Sequence, residues 1–402
     1  MLTSLSLIFL AGLAMAALCQ AFRLPRIIGM LFTGILLGPY VLNLLDPSIL
    51  SVSADLRQLA LIIILLKAGL SLNLADLKKV GRPAVMMAVL PASFEILAFF
   101  LFAPSLLHIT PIEAAVMGAV SPAVVIPRMV QLMESNYGTD KSIPQLIMAG
   151  ASCDDVFVIV LFSTFSSMAQ GGSAQAMDFV NIPISILSGI LLGWAAGYGL
   201  SLLFEAAYIR RHYIRNSMKV IIVLGTAFLL MAIETWLKGI FAVSGLLAVV
   251  SMACIIRLKS IPSVSTRLSE KFGKLWLAAE VVLFVLVGAA VDIRYTAQAG
   301  GAAILMIFIA LSVRSVGVIL CFLGTSLNRR ERLFCVIAYL PKATVQAAIG
   351  SVPLTMRLDC GPLVLSVAVL GILITAPLGA LGMDLTYKQL LQKERCWKTT
   401  KQ

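Results

Sequence analysis

Asp154 and Asp155 stand side by side in the middle of an otherwise apolar run from Ile143 to Phe165. A carboxylate at the centre of a bilayer costs about 2.5–3.5 kcal/mol on insertion scales, and adjacent like charges repel, so a chain retains such a pair where something uses it. In low-dielectric surroundings the charged form of a carboxyl group is disfavoured unless a proton or a cation neutralises it. Two neighbouring acids also titrate as one coupled system. Oxygen ligands suit Na⁺ or Li⁺, and the Ser121 and Thr344 hydroxyls, freed backbone carbonyls and water are the groups that complete the shell around the aspartates. Competition between proton and cation for one site, opened alternately to each side, is exchange.

The elements that hold this pair must lie in a membrane. Of 402 residues, 60% are hydrophobic and 12% charged, and the mean hydropathy is +1.00, far from a soluble balance. With about 20 apolar residues per helix, the runs yield about thirteen candidate spans, centred near residues 12, 36, 63, 93, 120, 155, 193, 227, 248, 282, 313, 342 and 372. The first, Leu2 to Phe22, lacks a basic start and a small-residue cleavage site, and is read as a helix rather than a signal peptide.

Charge sets the orientation. Placing the N-terminus outside puts most of the 31 basic residues in inward loops, among them Arg210, Arg211, Arg215 and Lys219, then Arg257, Lys259, Arg267, Lys271 and Lys274, then Arg329, Arg330 and Arg332. The C-terminus then lies in the cytoplasm of a cell bounded by an inner (plasma) membrane. The net charge of +12 is mostly this signal plus attraction to anionic lipid, and gives no reason to invoke nucleic acid. Seven cysteines form no Cys-x-x-Cys pair, two histidines lie away from span centres, and no phosphate-binding loop occurs. Transport is therefore expected to run on a gradient, without cofactor or ATP.

Two spans are irregular in the same way. One reads Gly118-Ala-Val-Ser121-Pro122-Ala-Val-Val-Ile-Pro127-Arg128, the other Tyr339-Leu-Pro341-Lys342-Ala-Thr344-Val-Gln346 and on to Pro353. Proline removes a donor and clashes with the preceding turn, so both helices should break, which is tolerable at membrane depth only where backbone lines a cavity. The two lie an odd number of spans apart and so cross in opposite directions. Broken helices at matching places of two inverted halves point to a transporter's substrate site.

Ala151-Ser-Cys-Asp-Asp-Val156, Ser121-Pro-Ala-Val-Val-Ile-Pro127, Leu340-Pro-Lys-Ala-Thr-Val-Gln-Ala-Ala-Ile-Gly350 and the early Leu24 to Pro39 segment together resemble the cation:proton antiporter superfamily, the third motif its NHA-type sodium/proton exchangers. The resemblance covers nearly the whole chain. It implies an all-α exchanger with two crossed discontinuous helices, working as a homodimer. Dimerisation helices would occupy about residues 1–50 and 180–260, the ion-translocating core about 54–170 and 274–384, and a short cytoplasmic tail 385–402. The family's paired carboxylates map onto Asp154 and Asp155, with Asp155 the direct cation ligand.

The remaining intramembrane charges need partners. Glu95 and Arg314 lie mid-span at equivalent places of the two halves, and a buried ion pair is expected, similar to the one family members hold between core helices. Lys342, at the break after Pro341, is expected to offset the negative end of a half-helix dipole. Lys67 and Arg128 are expected to snorkel. Glu280 stands in a segment where electrogenic branches of the superfamily carry a lysine, so it leaves the stoichiometry open and is an additional candidate ligand. A K⁺/H⁺ antiporter or K⁺ efflux system of the same superfamily is the alternative reading. An intramembrane aspartyl protease is disfavoured, because it needs its two aspartates on different helices and a Gly-x-Gly-Asp segment that the chain lacks.

Overall fold

A computed structural model describes residues 1–22, 24–71, 81–120, 126–170, 176–211, 216–237, 241, 243–342 and 344–393. Within these residues the regular structure is all helical. The elements are α1 (Leu2–Ala21), α2 (Arg26–Leu37), α3 (Pro47–Ser51), α4 (Ser53–Ser71), α5 (Arg82–Leu107), α6 (Pro111–Gly118), α7 (Ile126–Glu134), α8 (Ile143–Gln170) and α9 (Ala176–Arg211). They continue as α10 (Asn216–Leu237), α11 (Gly245–Lys259), α12 (Pro262–Ala289), α13 (Ile293–Cys321), α14 (Arg329–Ala338), α15 (Thr344–Gly350), α16 (Val352–Thr355) and α17 (Gly361–Leu390). In hydrocarbon a backbone must satisfy its own polar groups, and apolar sequences of this length do so as helices.

Seven helices among the described residues are long and apolar enough to cross a membrane. Large apolar side chains such as Leu10, Leu187, Leu191, Ile221 and Leu229 point outward from them. A soluble protein would bury many of these, whereas a multi-pass membrane protein presents them to lipid.

The helices pack in two groups. In one, α5 lies along α13 and also against α6 and α8, while α14, α15 and α16 lean on α17. In the other, α9 runs along α11, and α12 packs on α2 and α4, with α1 beside α2. Most of the packing of α4 and α12 is against α2, α11 and each other. The groups meet where α15 touches α4 and α12, and where α8 touches α9 and α11.

Both proline-bearing spans are interrupted. In the first, helix ends at Gly118, Ala119 and Val120 form a turn, and the next described helix is Ile126–Glu134. The second stops at Ala338 and resumes at Thr344. Each opens with a capping box: Thr110 and Glu113 exchange side-chain and backbone hydrogen bonds at α6, and Asn328 and Glu331 do the same at α14. The second break is seated on α17. The Lys342 amide donates to Thr375 Oγ1 at 3.1 Å, and a Cβ on Gly379 would overlap the Pro341 ring. Glycine at 379 is what lets the broken segment approach this closely.

Candidate functional site

Four ionisable side chains from four different elements meet inside the first helix group. Glu95 comes from the middle of α5, Arg314 from the C-terminal half of α13, Asp154 from α8 and Lys342 from the break between α14 and α15. Arg314 Nη1 donates to Glu95 Oε2 at 2.6 Å, and Arg314 Nη2 to Asp154 Oδ2 at 2.9 Å. The Lys342 ammonium pairs with the other Glu95 oxygen. None of the four side chains is more than 4% exposed.

Two carboxylates and two cations make this network neutral as a unit, which is what allows it to exist away from water. Desolvating a charge costs several kcal/mol, and only close, well-directed partners recover it. The guanidinium fork suits the task because it serves two carboxylates from one plane. Tyr339, the last residue before the break, lies beneath it, with the Arg314 guanidinium carbon 5.6 Å from the ring centroid. Its hydroxyl reaches the Met87 carbonyl at 3.4 Å. The network thus ties α5, α8, α13 and the second break together.

Glu95 and Arg314 meet, as their mid-span positions suggested. Asp154 joins them, which the sequence reading did not anticipate; it expected the aspartate to face a water pocket, and the carboxylate instead rests on Arg314 with no exposed surface. Lys342 does more than face a helix dipole, since Glu95 holds its ammonium. Asp155 follows on α8 and Thr344 opens α15; the side chains of both lie outside the described residues, as does the whole of Ser121.

A second constellation lies where α4 meets α12. Lys67 Nζ sits 5.8 Å from the Trp276 ring centroid, and Glu280, one turn further along α12, is within electrostatic reach of both Lys67 and Arg26. The basic neighbour that the Glu280 segment itself lacks is supplied by other helices. Lys67 therefore does not simply snorkel to solvent. Arg128 keeps 36% of its side chain exposed, with its Nη2 2.7 Å from Asp384 Oδ2. No local sequence signal marks Asp384 or Lys67 as partners, because each pairing joins residues far apart in the chain.

Known proteins resemble this chain over almost its whole length. The family described as "Sodium/hydrogen exchanger, transmembrane" matches residues 5–384. Sodium/hydrogen exchanger 9B2 of Mus musculus is 35% identical over 388 residues, which cover 92% of this chain and 69% of the relative. The Homo sapiens 9B2 protein is 34% identical over 391 residues, covering 92% and 70%. Among solved structures, the sodium proton antiporter MjNhaP1 from Methanocaldococcus jannaschii at pH 8 superposes with a TM-score of 0.81 at 19% identity, covering 97% of this chain and 98% of that one.

Proposed function

The chain belongs to the transmembrane sodium/hydrogen exchanger family, and from that premise we propose that it is a secondary-active antiporter exchanging Na⁺ or Li⁺ for H⁺ by alternating access at the paired aspartates. The observation that carries the reading is the charge balance of the buried network. Glu95, Arg314, Asp154 and Lys342 bring two acids and two bases into ion-paired contact, and in this reading the second carboxylate, Asp155, takes a proton or a cation as its partner. Asp155 is the direct ligand, with Ser121 and Thr344 completing the shell from the two breaks. Asp154 acts through Arg314, holding α8 in place.

Neighbouring positions on a helix are about 100° apart, so one member of the pair can serve the network while the other serves the ion. Hard oxygen ligands and an absence of histidine, cysteine or carboxylate clusters among the described residues suit a monovalent cation in transit rather than a resident metal.

Several features support two inverted halves. The capping boxes at Thr110 and Asn328 lie at the same separation in the chain as Pro144 and Pro362, which open α8 and α17. In this reading the group built on α5, α8, α13 and α17 moves against a scaffold of α1, α2, α9, α10 and α11, and the scaffold pairs with that of a second copy. The N-terminus faces the outside of the plasma membrane and the C-terminus the cytoplasm.

Purified protein in sealed vesicles tests this. An imposed proton gradient should collapse on addition of Na⁺ or Li⁺ and persist without a counter-cation. Collapse without any added cation would mean a channel, and collapse with K⁺ alone would mean a potassium exchanger; either result overturns the proposal.

A further inference from the structure

One end of the first helix group carries a hydrophobic cluster of its own, separate from the main core. It contains Met87, Met129, Leu132, Ile143, Ile147, Phe334 and Leu391, drawn from α5, α7, α8, α14 and the residue after α17. The loop 135–142, joining α7 to α8, lies over this cluster. Asn136, Gly138 and Ser142 all have positive φ in this loop (57°, 69° and 52°), a conformation that persists in non-glycine residues only when the surroundings impose it.

The loop is held from two sides. Toward α17, the Gly138 amide donates to the Gln392 carbonyl at 2.8 Å, Tyr137 forms an isolated antiparallel bridge with Lys393, and the Tyr137 and Tyr387 rings meet edge to face at 5.0 Å. One turn earlier, Arg128 of α7 is paired with Asp384 of α17, beside a cavity of about 350 Å³ that Gln131, Ser135 and Tyr387 also line. Toward α14, Lys141 Nζ lies 3.0 and 2.9 Å from the two oxygens of Glu331 and 3.3 Å from the Ser326 carbonyl. Glu331 is 2% exposed and is the same carboxylate that caps α14.

The equivalent capping acid at the opposite end, Glu113 of α6, enters no ion pair among the described residues and borders an open cavity with Arg357 and Asp359. Among the described residues the two capping acids are therefore alike in their caps and unlike in their ion pairing.

We propose that Arg128 and Lys141 are positioning residues for exchange: through Asp384 and Glu331 they tie the break-facing end of α7 to α17 and the start of α14 to the loop that leads into α8, and so hold both interrupted helices in register at the cation site. The helices that the two ties grip are short, nine residues in α7 and ten in α14. An ion site formed between two breaks is sensitive to sliding of either half-helix, since small displacements of ligating atoms have large effects on binding. The clamp removes that freedom at one end. This inference rests on the antiporter reading above.

The test uses full-length protein in phosphatidylethanolamine/phosphatidylglycerol vesicles, with Na⁺ titrated against proton-gradient collapse. Arg128→Asp, Asp384→Arg and Lys141→Glu should each raise the half-saturating Na⁺ concentration by about fivefold or more, and the swap of Arg128 with Asp384 should return it to within about twofold of wild type, while Glu331, which also caps α14, is left in place. A merely structural role would reduce the folded fraction and the maximal rate without moving half-saturation. For any single variant that fails to fold, Arg128→Gln or Lys141→Gln replaces it, and hydrogen exchange should quicken over residues 126–142 and 329–338 while α9 and α11 stay unchanged. Wild-type half-saturation in the single variants, or no recovery in the Arg128 and Asp384 swap, overturns the clamp alone. Absence of Na⁺-dependent exchange in the wild type overturns the antiporter reading, and the proposal with it.

Discussion

Arg314 Nη2 stands 2.9 Å from Asp154 Oδ2, and neither side chain is more than 1% exposed. The same guanidinium reaches Glu95, so one cation on α13 secures an acid on each of two other helices. In the function proposed above, the adjacent aspartates divide between two jobs, Asp154 holding the network together and Asp155 carrying the exchange.

Asp155→Asn is expected to abolish Na⁺-dependent proton movement while leaving thermal stability near that of the wild type. Asp154→Asn should behave differently, because it leaves the buried network with one uncompensated positive charge, at a cost of about 3–5 kcal/mol. Melting of the detergent-solubilised protein together with vesicle exchange separates the two. Wild-type exchange by Asp155→Asn would remove the mechanism.

Glu95 serves both cations of the network, so Glu95→Gln should destabilise at least as much as Asp154→Asn. The double variant Glu95→Leu with Lys342→Met removes one charge of each sign, and Asp154 remains to balance Arg314. It should recover much of the loss, since hydrophobic residues of similar volume can replace a buried pair at little cost. A double-mutant cycle read by thermal melting measures the coupling; simple additivity of the two single effects would show that the Lys342 contact contributes nothing.

For Glu280, the proximity of Lys67 and Arg26 supports a role in joining α4 to α12 rather than in holding the transported ion. Glu280→Gln should leave the half-saturating Na⁺ concentration and the pH profile of exchange close to wild type. A clear shift in either would make Glu280 an additional ligand.

Gly379→Ala places a methyl group in the space occupied by the Pro341 ring. Overpacking of this kind costs about 1–3 kcal/mol, and here the displaced segment carries Lys342. The variant should melt at a lower temperature and bind cation more weakly. Unchanged melting would mean that the break can shift away from α17 without penalty.

The membrane class, the helical runs, both interruptions and the Asp154 and Asp155 pair were legible in the amino-acid sequence, because each depends on local composition. Apolar length sets a span, proline ends a helix, and two carboxylates in such a run stand out whatever surrounds them. Glu95 and Arg314 were legible as partners for the same reason: a lone charge at mid-span needs an opposite one, and there were few to choose from. Tertiary structure alone decided how the charges were shared. Lys342 turned to Glu95, Asp154 to Arg314, Lys67 toward Glu280, and Arg128 to Asp384, and each of these choices depends on which helices lie side by side and how they are rotated. The clamp over the Phe334 and Leu391 cluster was equally invisible, since Tyr137, Lys141, Glu331, Tyr387 and Lys393 are ordinary loop and helix-end residues until the fold brings them together. Sequence specifies the cost of each buried charge, and packing specifies which neighbour meets it.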